Sequence, residues 1–215
     1  ARQKAARSLP LIEATLKEEP DNHQQRFYLG REYLLLGRTE AAEAALRLAY
    51  AGIKKTGHGP LADAADHLIR VLFATDAPPT QIIEIAQDTL RLHPNHPDIW
   101  YNLGKGLAKA KANQQAIQAV TKALQCLAIP SASDQVWLRH RVWEAHELLG
   151  ALYWESGQYR AAYDAYLKAF PDKPDETTGW PILLNNVCAL AIEFKDHERL
   201  PLLLDKLFKT EDAPL

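Results

Sequence analysis

The 215-residue sequence contains no methionine and only two cysteines, Cys126 and Cys188. Two cysteines cannot form the several crosslinks of a disulfide-stabilised secreted domain, so a reducing compartment is favoured. The first residues also lack the basic and then apolar segments of a secretory signal. We therefore expect a cytoplasmic protein, and the missing initiator methionine leads us to expect that the sequence is part of a longer chain.

An excess of one charge and long apolar runs are absent as well. The 25 basic and 27 acidic residues give a net charge of −2, which offers no general attraction for nucleic acid. No apolar run reaches the roughly 18 residues that a membrane-spanning helix needs. We therefore expect neither a nucleic-acid partner nor a membrane span.

Motifs for catalysis are also missing. The sequence has no phosphate-binding loop, no dinucleotide-binding glycine motif and no serine-nucleophile motif. His93 and His96 come nearest to a metal-ligand pair, but a zinc site needs three or four ligands. Cys188 fits a buried packing position, and Cys126 has no neighbour that would activate its thiol. We expect no catalytic residue, no metal and no cofactor in this chain.

The spacing of apolar residues is helical nearly throughout, with intervals of three and four positions. Turn-forming prolines and glycines interrupt it regularly, as at 19–22 and 93–97. No segment alternates with period two for long enough to predict a strand. The pattern predicts an all-α protein of about eleven helices, whose short loops make successive helices antiparallel.

Three segments repeat the same residues at the same offsets. Each has Leu-Gly, an apolar or aromatic residue three positions after the glycine, and an alanine twelve positions after it. The glycine–alanine pairs are Gly30 with Ala42, Gly104 with Ala116, and Gly150 with Ala162. This is the pattern of the tetratricopeptide repeat, a helix–turn–helix unit of about 34 residues, and the chain resembles that family over nearly its whole length.

The resemblance implies a single domain over residues 1–215 that forms a right-handed superhelical α-solenoid of stacked repeats. In the degenerate units of this array, Arg70 and Cys188 stand where the glycine belongs. The predicted units are a half-repeat helix (1–20), a repeat (23–55), a degenerate repeat (60–94), a repeat (97–128), a repeat with an extended first helix (131–174) and a degenerate capping repeat (178–209).

The extended helix is predicted because the segment before Gly150 is about twelve residues longer than the pattern requires and contains no helix breaker. The extension adds about two turns at the N-terminal end. Ser131 or Ser133 would cap it, and Asp134 would interact favourably with the helix dipole.

A second glycine ends the first helix of two repeats, at Gly37 and Gly157. The left-handed backbone conformation that closes a helix is easiest for glycine. Lys111 stands at this place in the 97–128 repeat, so we expect it to cap that helix less well.

The resemblance also implies a binding surface, since the first helices of such repeats line the concave face of the superhelix. The family's best-known clamp for acidic C-terminal peptides is not reproduced, because Phe27 and Arg31 replace its first lysine and asparagine. We predict a scaffold that binds a protein or peptide. The candidates on that face are Phe27, Arg31, His67, Tyr101, Asn102, Lys105, Lys109, Asn185 and Asn186.

Trp137 and Trp143 form a second candidate patch, because tryptophan is enriched at the energetic centres of interfaces. The alternative is that both side chains pack against the preceding repeat.

The segment 9–46 carries a further resemblance. Pro20-Asp21 and the stretch Tyr28–Tyr33 are similar to the repeats that follow the catalytic domain in some bacterial family-2 glycosyltransferases. That resemblance implies an alternative function, in which the chain is a non-catalytic C-terminal domain that recognises an acceptor or forms a homodimer. The residues preceding Ala1 in the native gene would separate the two hypotheses.

The substitution Gly30→Leu tests the packing role of the repeat glycine. The family pattern places Gly30 against Ala42 of the second helix, where a large side chain would force the two helices apart. We expect a loss of about 1–3 kcal/mol in the free energy of unfolding, measured by urea denaturation. A negligible change would refute this role.

Overall fold

The computed structural model describes residues 2–129, 136–169 and 180–204, and these residues contain no strand. The prediction of an all-α fold is confirmed. A single 3-10 turn covers Trp137–His140, and residues 200–204 are again helical. The α-helices are α1 (Arg2–Glu18), α2 (His23–Leu35), α3 (Thr39–Thr56), α4 (Leu61–Ala74), α5 (Pro79–Leu92), α6 (Pro97–Lys109), α7 (Asn113–Leu127), α8 (Val142–Glu155), α9 (Tyr159–Ala169) and α10 (Trp180–Glu193).

The chain divides into two compact units, residues 1–106 and 107–215, with the boundary inside α6. We call these unit 1 and unit 2. Helices α2, α4, α6, α8 and α10 are the first helices of their repeats, and α3, α5, α7 and α9 are second helices.

Two of the repeat glycines leave no room for a side chain between the helices of their repeat. A Cβ atom added to Gly30 would lie 2.6 Å from Cγ of Leu46, and one added to Gly150 would lie 2.4 Å from Cδ1 of Tyr166. The nearest neighbour is therefore one helical turn beyond Ala42 or Ala162, the residues that the sequence indicated. Ala42, Ala116 and Ala162 are themselves fully buried.

One left-handed residue closes every first helix. The residues are Gly37, Asp76, Lys111, Gly157 and Lys195, with φ between 52° and 77°. In each case the next backbone N–H donates to a carbonyl five positions earlier at 2.8–3.0 Å, which is the long bond of the Schellman motif. Three of these five residues are not glycine, so the turn tolerates a side chain there.

These left-handed residues fix the register of the repeats and correct one alignment. Gly30 and Gly150 lie seven positions before the left-handed residue. In the 60–94 repeat the same offset falls on Ile69, which is fully buried, and not on Arg70. The residue that replaces the glycine in this repeat is therefore Ile69, and the prediction of Arg70 is wrong by one position. The repeat contains no glycine that would have fixed the alignment.

The predicted extension of the first helix in the 131–174 repeat is also wrong over the described residues. Helix α8 begins only at Val142, after the 3-10 turn and a non-helical backbone at Arg141 with φ −140° and ψ 37°. The turn directs Val136 and Leu138 into the protein, where both are buried. The proposed caps Ser131, Ser133 and Asp134 lie outside the described residues.

The core of unit 2 forms around α8, α9 and α10, and includes Trp143, Tyr163, Tyr166, Leu183 and Leu184. The Tyr163 hydroxyl donates to Asp196 Oδ2 at 3.0 Å, just after the left-handed Lys195. Burial, reinforced by this carboxylate, raises the pKa of Tyr163 to about 12. The phenol therefore remains a donor at neutral pH and ties α9 to the turn after α10.

The substitution Lys111→Gly tests the left-handed turn. We expect it to raise the free energy of unfolding by about 0.5–1 kcal/mol, because glycine adopts this conformation without steric cost. The ion pair between Lys111 and Glu155 is exposed, so its loss matters little. The measurement is urea denaturation.

Lys122→Gly, inside α7, is the matched control and should lower the free energy of unfolding by about 1 kcal/mol. If the two variants were destabilised alike, Lys111 would not be strained.

Candidate functional site

The first helices of unit 1 are linked side by side through their side chains. The rings of Phe27 in α2 and His67 in α4 meet edge to face, with centroids 5.4 Å apart. Between α4 and α6, Asn102 Nδ2 donates to Asp66 Oδ1 at 2.8 Å. The three helices therefore form one continuous surface, which we call the first-helix face.

Three of the predicted contact residues lie beneath this face and not on it. Phe27 and Tyr101 are each 4% exposed, and Asn102 is completely buried. The sequence placed them on the concave face as partner contacts. Their burial leaves little side-chain surface for a partner, and that contact stays a prediction.

Three basic side chains occupy equivalent positions on the first-helix face. Arg31, Arg70 and Lys105 each precede the left-handed residue of their helix by six positions. Arg31 and Arg70 have 44% and 58% of their side chains exposed, and Lys105 is half-buried. We call these residues the cationic row.

Sequence reasoning proposed two members of the row and missed Arg70. Arg70 was missed because the sequence alignment of this repeat was displaced by one residue. The left-handed conformation of Asp76 gives the correct alignment. His67, which was proposed, is half-buried beside the row, and its Nδ1 lies 2.9 Å from the carbonyl of Asp63.

Buried carboxylates lie directly beneath two of the cations. Glu32 is 6% exposed and its Oε1 is 3.2 Å from Nη2 of Arg31. Asp66 is 5% exposed and its Oδ2 is 4.0 Å from Nη1 of Arg70. Arg31 donates a hydrogen bond to Glu32, whereas Arg70 forms only a long ion pair with Asp66, whose hydrogen bond comes from Asn102. Such partners offset the cost of burying a carboxylate.

Aromatic rings position the third cation. The Lys105 Nζ lies 4.4 Å from the ring centroid of Phe73 and 5.7 Å from that of Tyr101. Cation–π contacts of this length attract the ammonium group to the faces of the two rings.

The remaining candidates lie in unit 2. Lys109 is exposed at the end of α6, and Asn185 is exposed on α10. Asn186 is half-buried and hydrogen-bonded to Tyr166. Burial raises the pKa of Tyr166, although the hydrogen bond with Asn186 acts in the opposite direction. At the positions equivalent to the cationic row, this unit has Ala151 and Ala189.

The two candidate tryptophans have different environments. Trp143 is 7% exposed and belongs to the core of unit 2, together with residues of α9 and α10. It is therefore a packed side chain, but this cluster is not in the preceding repeat that the alternative named. Trp137 is half-buried. The guanidinium of Arg141 lies 5.8 Å from the ring centroid of Trp137 and 5.5 Å from that of Trp143, so the rings share one cation.

The side chains that the sequence offered as metal ligands or reactive thiols have ordinary surroundings in the described part of the chain. Within it, no three His, Cys, Asp or Glu residues are arranged to hold a metal ion. Both cysteines are buried, which raises the pKa of each thiol and keeps it protonated. His96, one of the two histidines considered as a metal-ligand pair, is half-buried. Burial lowers its pKa, so the ring is neutral at neutral pH.

Two clefts lie in unit 1 away from the cationic row. One of about 320 Å³ lies between α3 and α5, but Arg47 in its wall is bonded to Glu43 and Gln81. The other, of about 490 Å³, includes His23, whose ring packs closely against Gly52. The Gly52 contact was not foreseen, since it lies outside the repeat signature.

No helix in the described ranges has both the length and the apolar character required to cross a membrane.

A family model described as a tetratricopeptide repeat matches residues 1–57 and 83–135, which together make up just over half of the chain. No curated protein matches the chain significantly. The resemblance of the opening segment to glycosyltransferase-associated repeats gains no support from these comparisons and remains a hypothesis.

Solved structures share the fold at low sequence identity. BtubC from P. vanneervenii is 15% identical with a TM-score of 0.68, covering 98% of this chain and 89% of its own. YrrB, described as a TPR protein with an unusual peptide-binding site, is 15% identical with a TM-score of 0.65, covering 93% and 91%. PilF of Pseudomonas aeruginosa is 19% identical with a TM-score of 0.65, covering 89% and 78%.

The substitution Asn102→Ala tests whether this residue is structural. We expect it to lower the free energy of unfolding by about 1–3 kcal/mol, because the buried Asp66 loses a hydrogen-bond donor. Asn185→Ala, at an exposed position, should change that free energy by no more than about 0.5 kcal/mol. Equal effects in thermal or urea unfolding would show that Asn102 is dispensable to the fold.

Proposed function

The chain belongs to the tetratricopeptide repeat family, and on that basis we propose that it binds an extended peptide segment of a partner protein across the first-helix face of unit 1. Proteins with this repeat act as protein-interaction scaffolds. The family resemblance implies that the first helices line the binding surface. Unit 1 contains three successive first helices, α2, α4 and most of α6.

The observation that carries the proposal is the arrangement of polar groups on the face. Three basic side chains are held at equivalent positions by buried carboxylates and aromatic rings. Basic side chains at the same register on three neighbouring helices would give a peptide that crosses the face one charged contact on each helix.

A photocrosslinking experiment tests the location of the site. A photoreactive phenylalanine analogue replaces Ala74, an exposed residue one turn after Arg70 on α4. Peptides selected on the unmodified protein from a displayed random library are then irradiated with this variant. We expect crosslinks at position 74.

The matched control carries the same analogue in place of Leu48, an exposed residue of the second helix α3. Equal crosslinking at positions 48 and 74, or none at 74, would contradict the proposed location.

A further inference from the structure

We infer that the cleft between α3 and α5 binds an arginine side chain of a protein partner, whose guanidinium pairs with the carboxylate of Glu84. The cleft is lined by residues between 47 and 88 of unit 1 and does not include the cationic row. The inference therefore goes beyond the proposed function and does not depend on it.

Basic side chains of α3 reach across to α5 at the two ends of the cleft. Arg47 Nη2 donates to Gln81 Oε1 at 2.8 Å, and the ammonium of Lys54 bonds to Asp88. In both bridges the two residues are 34 positions apart. The second bridge follows the first by seven positions in each helix, from 47 to 54 and from 81 to 88, which is about 10 Å along the helix axis. The cleft is the space between the two bridges.

The middle of the cleft differs from its ends. The same offset of 34 positions pairs Glu84 with Tyr50, which is not a cation. Tyr50 is 8% exposed, and its hydroxyl donates to the carbonyl of Ile85 at 3.4 Å. Ala51 is exposed, but its methyl group is too short to reach across to α5. Among the described residues, Glu84 therefore has neither a hydrogen-bond partner nor an ion-pair partner.

The cations at the ends of the cleft are bonded to other carboxylates. Arg47 pairs with Glu43 at 2.8 Å. Lys54 pairs with Asp88. A cation brought by a ligand is therefore the complementary group for Glu84. Because both carboxylate oxygens of Glu84 are available, the planar guanidinium of arginine, which can bond to both, fits better than the point charge of lysine.

The apolar part of the wall suits the stem of an arginine. It is formed by Tyr50, Ala51, Leu68 and Ile85. Arginine carries methylene groups that cover apolar surface while its charged head stays in water. The cleft volume of about 320 Å³ lies at the lower end of the range for small-ligand pockets, about 300–1,000 Å³. The cleft is therefore of a size for one side chain and not for a large cofactor.

A protein is the favoured source of this side chain. A single exposed ion pair contributes little binding by itself, so a free guanidinium compound would be held weakly. An arginine in a protein adds the contacts of the residues around it. The cleft would then anchor one residue within a larger contact.

The test begins with displayed peptides that have one fixed central arginine and random flanking residues. They are selected on the full chain in the presence of excess Ala51→Leu variant, in which the added side chain occupies the cleft and which removes peptides that bind elsewhere. Amide NMR signals of the full chain are then followed during titration with an enriched peptide. We expect shifts in residues 47–51 and 81–88.

Charge is tested on both sides of the contact. Citrulline in place of the central arginine keeps the shape of the side chain without its charge, and should weaken binding roughly three- to tenfold. Glu84→Gln should weaken the arginine peptide to a similar extent. The matched controls are Glu18→Gln on α1 and Ala44→Leu on α3, two exposed positions outside the cleft wall, and both should leave the affinity unchanged. Melting temperatures establish that each variant is folded.

Failure to enrich any peptide, equal affinity of the arginine and citrulline peptides, or equal affinity of the Glu84→Gln and Glu18→Gln variants would each overturn the inference. Butylguanidinium, a free cation with an apolar stem, tests the source of the side chain. If it binds as tightly as the enriched peptide, the assignment to a protein partner is wrong. These outcomes leave the proposed function untouched, because that function is tested by crosslinking at position 74.

Discussion

The reversal of the chain after each first helix is the constraint on which the rest of the structure depends. A left-handed residue and the hydrogen bond that follows it end all five helices at the same register. That register places the repeat glycine against Leu46 or Tyr166. It also places Arg31, Arg70 and Lys105 on one surface. The first-helix face is therefore a consequence of how the helices are closed, and not of any one side chain.

Much of the fold could be predicted from apolar spacing and glycine positions, because both report packing directly. The register of the 60–94 repeat could not, since Ile69 carries no signal and the left-handed residue is Asp76 and not a glycine. The start of α8 was missed because no proline or glycine marks the break at Arg141. The candidate site was predicted only in part. Repeat position shows which way a residue faces, but the burial of Phe27, Tyr101 and Asn102 depends on the neighbouring helix.

The segment that resembles glycosyltransferase-associated repeats has a sufficient explanation in packing. Gly30 permits the close approach of α2 and α3, Phe27 contacts His67, and Gly37 closes the helix. These are properties of the repeat and are independent of any upstream enzyme. The acceptor-recognition hypothesis therefore depends on evidence from outside this segment, whereas the interaction module follows from the repeat family itself.

The carboxylate of Asp66 makes the contact between α4 and α6 polar as well as apolar. It accepts a hydrogen bond from the buried Asn102 and lies 4.0 Å from Arg70, so side chains of two repeats share one polar cluster. A substitution at any member changes the surroundings of a group that is out of water. The 60–94 and 97–128 repeats are therefore coupled in sequence, and a substitution in one should be accompanied by a substitution in the other.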